Sequence, residues 1–229
     1  MDGFFLLNKE KGITSNQLVQ NIKKSLKFKK VGHLGTLDPM ATGLMVIAAN
    51  RATKFSSYFL ESDKSYHATV KLGCSTDTDD ALGKIIETSD NLPTEEHTHK
   101  VLNSFVGQSL QMAPFYSALK HKGKPLYKYA REGDFILKPP REINVFSIKD
   151  FNFDHDECSF LIHCSKETYI RSIARDLGKK LGCGAHLSGL KRVSQGKFNI
   201  NQALNTEEVE IKNLISIEEA FKAFSDIKL

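Results

Sequence analysis

One carboxylate sits in an unusual setting near the N-terminus. The stretch Gly32-His33-Leu34-Gly35-Thr36-Leu37-Asp38-Pro39-Met40-Ala41-Thr42-Gly43 has three glycines, one proline and a single acid, Asp38. The apolar run Leu44-Met45-Val46-Ile47-Ala48-Ala49 follows at once and reads as a buried strand. Glycine permits positive φ and close approach of another backbone, and Pro39 fixes its own φ. Proline also biases Asp38 towards an extended conformation. A stiff loop then presents one acid beside a core strand, suited to nucleophilic or acid–base work. The alternative from the same residues is a hairpin-type connection in which Asp38 caps a local turn.

Other chemistry-bearing clusters are weaker. Cys183 and His186 have a Cys-x-x-His spacing, but no second pair matches it, so zinc is not expected. Thr76-Asp77-Thr78-Asp79-Asp80 lacks the glycine and distal glutamate of an EF-hand loop and reads as a polar turn. Arg171 falls at the start of a helical stripe formed by Ile170, Ile173, Ala174, Leu177 and Leu181, with Gly182 as its stop. A cation is electrostatically misplaced at a helix N-terminus. It is a surface arginine, or it has a buried acid partner.

Positive charge is concentrated. The net charge of the 229 residues is +5. Residues 21–30 hold Lys23, Lys24, Lys27, Lys29 and Lys30 without an acid, and residues 113–141 hold seven Lys or Arg against two acids. The second block interleaves Phe115, Tyr116, Tyr127 and Tyr129 with its bases. Bases bind phosphates and aromatic rings stack on nucleobases, so this mixture suits a nucleic-acid clamp. A solvated loop and amphipathic helix would have the same composition.

The long glycine-rich stretch resembles the catalytic motif Gly-His-x-Gly-Thr-Leu-Asp-Pro-x-Ala-Thr-Gly of the TruB-type pseudouridine synthases, which modify uridine 55 in the T loop of transfer RNA. The resemblance runs from the first strand to about residue 224. It makes Asp38 the catalytic nucleophile, and His33 a residue that contacts the RNA and fills space around the flipped nucleotides. Asp63-Lys64-Ser65-Tyr66 matches the family's Asp-Lys-x-Tyr segment. That implies a Tyr66 that stacks on the target base and is a candidate for handling the C5 proton, although strand periodicity alone reads Tyr66 as a core tyrosine. Cys164-Ser165-Lys166-Glu167-Thr168-Tyr169-Ile170-Arg171 resembles the family's Cys-Ser-x-Gly-Thr-Tyr-Ile-Arg. It implies that Arg171 pairs with the catalytic aspartate and that Tyr169 lines the base pocket, with Leu190 at a further pocket position and Lys9 among the substrate-binding residues. Catalytic residues are therefore expected at Asp38, Tyr66 and Arg171.

Two departures from the pattern stand out. Glu10 replaces a proline of the family's Lys-Pro-x-Gly turn, and Glu167 stands where glycine is usual. The reaction has no redox or group-transfer step, so no cofactor and no metal is expected. Transfer RNA, through its T stem-loop, is the expected partner of a monomeric cytoplasmic protein without a membrane association.

Two other functions fit parts of the sequence. A non-catalytic RNA-binding or folding factor would predict loss of Asp38, Tyr66 or Arg171, yet all three are present. A nucleoside hydrolase or retaining glycosidase would need a second carboxyl about 5 Å from Asp38, for which Glu10 and Glu167 are candidates.

The elements that must position these residues are legible by period. Phe4 to Leu7, Leu44 to Ala49, Tyr66 to Leu72 and Cys158 to Cys164 read as strands. Thr14 or Ser15 caps a helix with Leu18, Val19, Ile22 and Leu26 on one face. Ala52 to Leu60 reads as a short helix with Phe55, Tyr58 and Phe59 in the core. Pro93-Thr94-Glu95-Glu96 starts another, with Val101, Leu102, Phe105 and Val106 on its apolar side. Cap-like starts at Asn205 and Ser216 predict short closing helices over 205–229. Strands and helices lack a regular βαβ rhythm, which favours α+β. The resemblance implies a mixed, mainly antiparallel central sheet flanked by helices. A single catalytic domain over 1–229 is expected, with 113–141 as a basic RNA-clamping insertion and no separate C-terminal RNA-binding domain.

Overall fold

The computed structural model describes residues 1–222. In chain order the elements are β1 (Gly3–Lys9), α1 (Ser15–Ser25), β2 (Val31–His33), β3 (Thr42–Ala49), α2 (Ser56–Leu60), β4 (Lys64–Leu72), β5 (Cys74–Thr76) and β6 (Ile85–Thr88). They continue with α3 (Glu95–Asn103), β7 (Gly107–Gln111), β8 (Lys120–His121), β9 (Lys124–Pro125), α4 (Leu126–Arg131), β10 (Arg141–Asp154), β11 (Glu157–Cys164) and α5 (Ile170–Leu181). The last are β12 (Ala185–Gln195), β13 (Phe198–Asn199), β14 (Leu204–Asn205), β15 (Ile215–Ser216) and α6 (Ile217–Lys222). The architecture is α+β with a mixed, mainly antiparallel sheet, as expected. Parallel pairings are confined to β1 with β14 and β12 with β3 among the registers described.

The chain forms two compact units. The first comprises Met1–His67 and the chain from Leu190 onward. Its strands run in the order β14, β1, β3, β12. Every residue of β3 after Thr42 is buried, because the strand lies between β1 and β12. That is why its sequence is a continuous apolar run rather than an alternation. Phe4, Leu6, Leu34, Leu44, Val46 and Phe59 form the core with Phe198 and Ala220.

Helix α1 is capped by the hydroxyl of Thr14, which accepts from the Gln17 N–H, while the Gln17 side chain accepts from the Thr14 N–H. This reciprocal pair satisfies two otherwise orphaned donors. The segment expected as one short helix is instead a 3-10 stretch, Asn50–Phe55, followed by α2. Only Phe59 of its three aromatics is fully buried. Phe55 and Tyr58 are about two-fifths exposed and rest edgewise or tilted against Phe221. The expected closing helix at Asn205 is a single 3-10 turn, Thr206–Glu208, whereas Ser216 precedes the true helix α6. Residues 223–229 of that expectation lie outside the described residues.

The second unit is Ala68–Gly189. Its strands include β4, β11, β10 and β7 in that order, with α3 and α5 packed on each other. Helix α5 follows the predicted stripe. Ile170, Ile173, Ala174 and Leu177 are buried, and Gly182 at φ 73° ends the helix. Only Leu102 of the expected α3 stripe is fully buried, and Val106 is exposed. Glu167 has φ 62°. A left-handed backbone explains why glycine suits that position in the resembling motif. Here the glutamate side chain lies 2.8 Å from Arg141.

Candidate active site

The loop that carries Asp38 is held from beneath by buried polar groups of the first unit. The Ser15 hydroxyl donates to the Leu37 carbonyl and accepts from the Leu37 N–H, each at 2.9 Å. Directly after Asp38 the chain turns, with the Ala41 N–H donating to the Asp38 carbonyl at 3.0 Å. The Pro39 carbonyl accepts from the Gly12 N–H at 2.8 Å. Asp38 itself is half-buried. The loop is therefore a rigid mount for a partly exposed carboxylate, which is the geometry that nucleophilic use requires.

Lys9, expected to contact substrate, is fully buried. Its ammonium donates to the carbonyls of Glu10 at 2.8 Å, Ile13 at 2.7 Å and Pro39 at 3.5 Å. Lys9 thus ties the turn after β1 to the residue following Asp38. Burial pulls its pKa down to about 8, Asp38 opposes that, and Arg192 adds to it. Glu10 contributes its backbone oxygen to this arrangement, and its own side chain is exposed.

Arg192 is the residue that sequence reasoning missed. It lies in β12, 1% exposed, among the largest wholly buried side chains. Its Nε donates to the Leu44 carbonyl at 2.6 Å, and its Nη2 donates to the Gly35 carbonyl at 3.2 Å. It also hydrogen-bonds the side chain of Tyr66. Two motif glycines are explained by this strand. A Cβ on Gly35, at φ 135°, would lie 3.2 Å from Arg192 Nη1. A Cβ on Gly43, at φ 102°, would lie 2.3 Å from the Arg192 carbonyl oxygen. Arg192 stands beside Lys191 between Leu190 and Val193, and a strand arginine beside a lysine reads as solvent-facing unless its partners are known.

Tyr66 is 7% exposed on β4, and His33 and Leu190 are partly buried. Burial, reinforced by Arg192, pushes the His33 imidazole below its ordinary pKa. Asp38, His33, Tyr66, Leu190 and Lys9 all belong to the first unit, while Tyr169 and Arg171 belong to the second.

Within the second unit Arg171 is 4% exposed rather than a surface residue. Its guanidinium donates to the carbonyls of Thr78 at 3.0 Å and Tyr116 at 2.9 Å, and its Nε is 3.8 Å from Asp80 Oδ2. Asp80 is the buried acid that a cation at this helix end calls for. It comes from the polar turn whose acids are thereby structural. The next acid, Asp79, accepts from Arg175 at 3.1 Å, and Arg175 also meets Asp176 at 2.9 Å. Arginines one turn apart on α5 therefore grip consecutive aspartates. Tyr169 caps the approach to α5, with its N–H and carbonyl both bonded to the Gln111 amide at 2.8 and 3.1 Å.

The described residues contain no cluster of three or more metal-ligating side chains. His186 Nδ1 lies 3.0 Å from the Cys74 carbonyl and 3.5 Å from the Cys74 sulfur, and Cys183 donates to the Gly184 carbonyl. No described helix is long and apolar enough to cross a membrane.

Comparison with known proteins identifies the family. Residues 23–170 match the family model for the TruB family pseudouridylate synthase N-terminal domain. The chain belongs to the TruB family. Residues 171–223 match the tRNA pseudouridylate synthase B C-terminal domain. A tRNA pseudouridine synthase B of Francisella philomiragia subsp. philomiragia is 45% identical over 230 residues, covering 96% of this chain and 76% of that protein. The protein of the same name from Methylobacillus flagellatus is 45% identical over 210 residues, covering 92% of this chain and 70% of the relative. Among solved structures, a Cbf5-Nop10-Gar1 complex aligns with a TM-score of 0.75 at 26% identity, covering 96% of this chain and 62% of that chain. The archaeal box H/ACA sRNP Nop10-Cbf5 complex aligns at 0.67 and 26% identity, over 90% of this chain and 52% of that one. The chain thus spans between half and two thirds of these structural neighbours and about three quarters of the curated TruB relatives.

Proposed function

We propose that this TruB-family pseudouridine synthase isomerises uridine to pseudouridine at position 55 in the T loop of transfer RNA, with Asp38 as nucleophile. The observation that carries the reading is the mounting of Asp38. A half-buried carboxylate stands on a loop fixed by Ser15, Lys9 and the turn to Ala41. Identity of 43–45% to proteins named tRNA pseudouridine synthase B supports the substrate class.

The chemistry follows from these groups. A stacked nucleotide is unreachable and must flip out, at a cost of a few kcal/mol. Lysines of residues 21–30 and bases of 113–141 offset that cost through the phosphates. Ionised Asp38 attacks or stabilises C1′ as the bond to N1 breaks. Arg171 is carried over from the family motif as the basic partner of the aspartate. His33, Tyr169 and Leu190 line the base site, and Tyr66 stacks on the uracil while it turns. A C1′–C5 bond then forms, and C5 loses its proton.

The test is incubation of an unmodified transfer RNA transcript with the purified chain and with Asp38→Asn. Pseudouridine is mapped by chemical labelling and reverse-transcription stops. One Asp38-dependent stop in the T loop is expected, with RNA binding by Asp38→Asn within a few-fold of wild type. Tight binding without a stop indicates an RNA-folding factor, and released uracil indicates a hydrolase. Either outcome overturns the proposal.

A further inference from the structure

Arg192 is a buried cation without an acid. Among the described residues no carboxylate stands in ion-pair contact with it. It donates to the Leu44 and Gly35 carbonyls and to Tyr66. The neighbouring charged groups within the first unit's site are Lys9 from β1, His33 from β2 and Asp38 from the loop, and Arg192 lowers the proton affinity of both Lys9 and His33. Burying a guanidinium without an anion is costly. A hydrophobic residue would fill a strand position at no such cost. The cation is useful where negative charge develops, and among the described residues Tyr66 is the ionisable group that it hydrogen-bonds. A guanidinium has donors only, so the Tyr66 oxygen must be the acceptor.

We propose that Arg192 is a positioning residue for the isomerisation: its guanidinium fixes the Tyr66 oxygen and stabilises the phenolate that takes the C5 proton. This rests on the reading of Tyr66 above. An unperturbed phenol, with a pKa of about 10, is a poor acceptor near neutrality. An adjacent buried cation favours the ionised form. The step balances. Asp38 displaces N1 from C1′ and leaves that electron pair on N1; C5, still carrying its hydrogen, then displaces the Asp38 carboxylate from C1′. The proton passes from C5 to the phenolate, and the C–H electron pair restores the C5–C6 double bond. N1 takes a proton from solvent, and Tyr66 returns its own to solvent. The same guanidinium holds the Gly35 carbonyl, three residues before Asp38, so one side chain sets both the acceptor and the nucleophile's loop.

The experiment uses transfer RNA carrying tritium at uridine C5, saturating enzyme and single turnover, and reads tritium release beside RNA binding. Arg192→Gln is expected to release tritium at least 100-fold more slowly with binding within about two-fold of wild type. Arg192→Lys, which retains the cation but cannot span three acceptors, is expected to fall between. Incorporating a fluorotyrosine at position 66, whose phenol is more acidic, is expected to restore at least ten-fold of the loss in either variant. A role limited to packing would not respond to the fluorine. Full activity of Arg192→Gln, or a loss in both variants that fluorotyrosine leaves untouched, overturns the proposal. Tyr66→Phe separates the two layers. An inactive Tyr66→Phe beside an active Arg192→Gln overturns Arg192 alone, whereas a fully active Tyr66→Phe overturns the reading of Tyr66 and the proposal with it.

Discussion

The Ser15 hydroxyl and the Leu37 backbone are bonded twice, once in each direction, each at 2.9 Å. Ser15 opens helix α1 but leaves the capping to Thr14. Its side chain is thereby released to hold the residue before Asp38. Ser15→Ala leaves a buried N–H and a buried carbonyl without that partner, at about 1–3 kcal/mol for a stranded buried group. Urea unfolding is expected to show a loss in that range, and single-turnover pseudouridine formation to fall further than RNA binding. A loss of stability with unchanged turnover would show that the loop keeps its geometry without the hydroxyl.

Lys9 makes a signed prediction about pH. Its folded-state pKa of about 8 lies below the ordinary lysine value of 10.5. Below pH 8 the amine is charged in both folded and unfolded chains and contributes no slope. Between about 8 and 10.5 the unfolded chain binds the extra proton, so this group makes stability rise with pH, by at most about 1.4 kcal/mol per unit. Wild type compared with Lys9→Met by urea unfolding at pH 7.5, 8.5 and 9.5 is expected to gain relative stability across the series. A flat difference would place the titration elsewhere.

Arg175 and Asp79 are expected to be coupled. Burial drives the Asp79 pKa up, and Arg175 opposes it. Arg175→Met strands a largely buried carboxylate, and breaking such a pair costs about 3–5 kcal/mol. Adding Asp79→Asn is expected to recover a large part of that loss. A double-mutant cycle in urea with additive effects would show that the pair does not act as a unit.

Gly178 reverses the usual helix rule. Alanine in a helix interior is favoured over glycine by about 1 kcal/mol. A Cβ at Gly178, however, would stand 2.2 Å from the Ala185 backbone nitrogen. Gly178→Ala is therefore expected to lower the thermal midpoint by several degrees, because α5 must move away from the start of β12. An unchanged or raised midpoint by calorimetry would mean that the helix shifts freely.

The sequence by itself determined many of the local elements and singled out the candidate carboxylate. Period and punctuation are local properties, so β3 could be read from its apolar run, β4 from its alternation, α5 from its helical stripe and the stop of α5 from Gly182. The glycine-rich stretch identified Asp38 because its order is specific over twelve consecutive residues. Tertiary structure decided which charged residues are buried. Arg192 meets Gly35, 157 positions away, and Arg171 meets Thr78, 93 positions away. Lys9 was legible as a motif residue, but its burial depends on the Pro39 carbonyl, 30 positions distant. A charged side chain is soluble or buried according to whether distant carbonyls and carboxylates converge on it. No local pattern encodes that convergence, and in this chain strand pairing and the packing of α5 supply it.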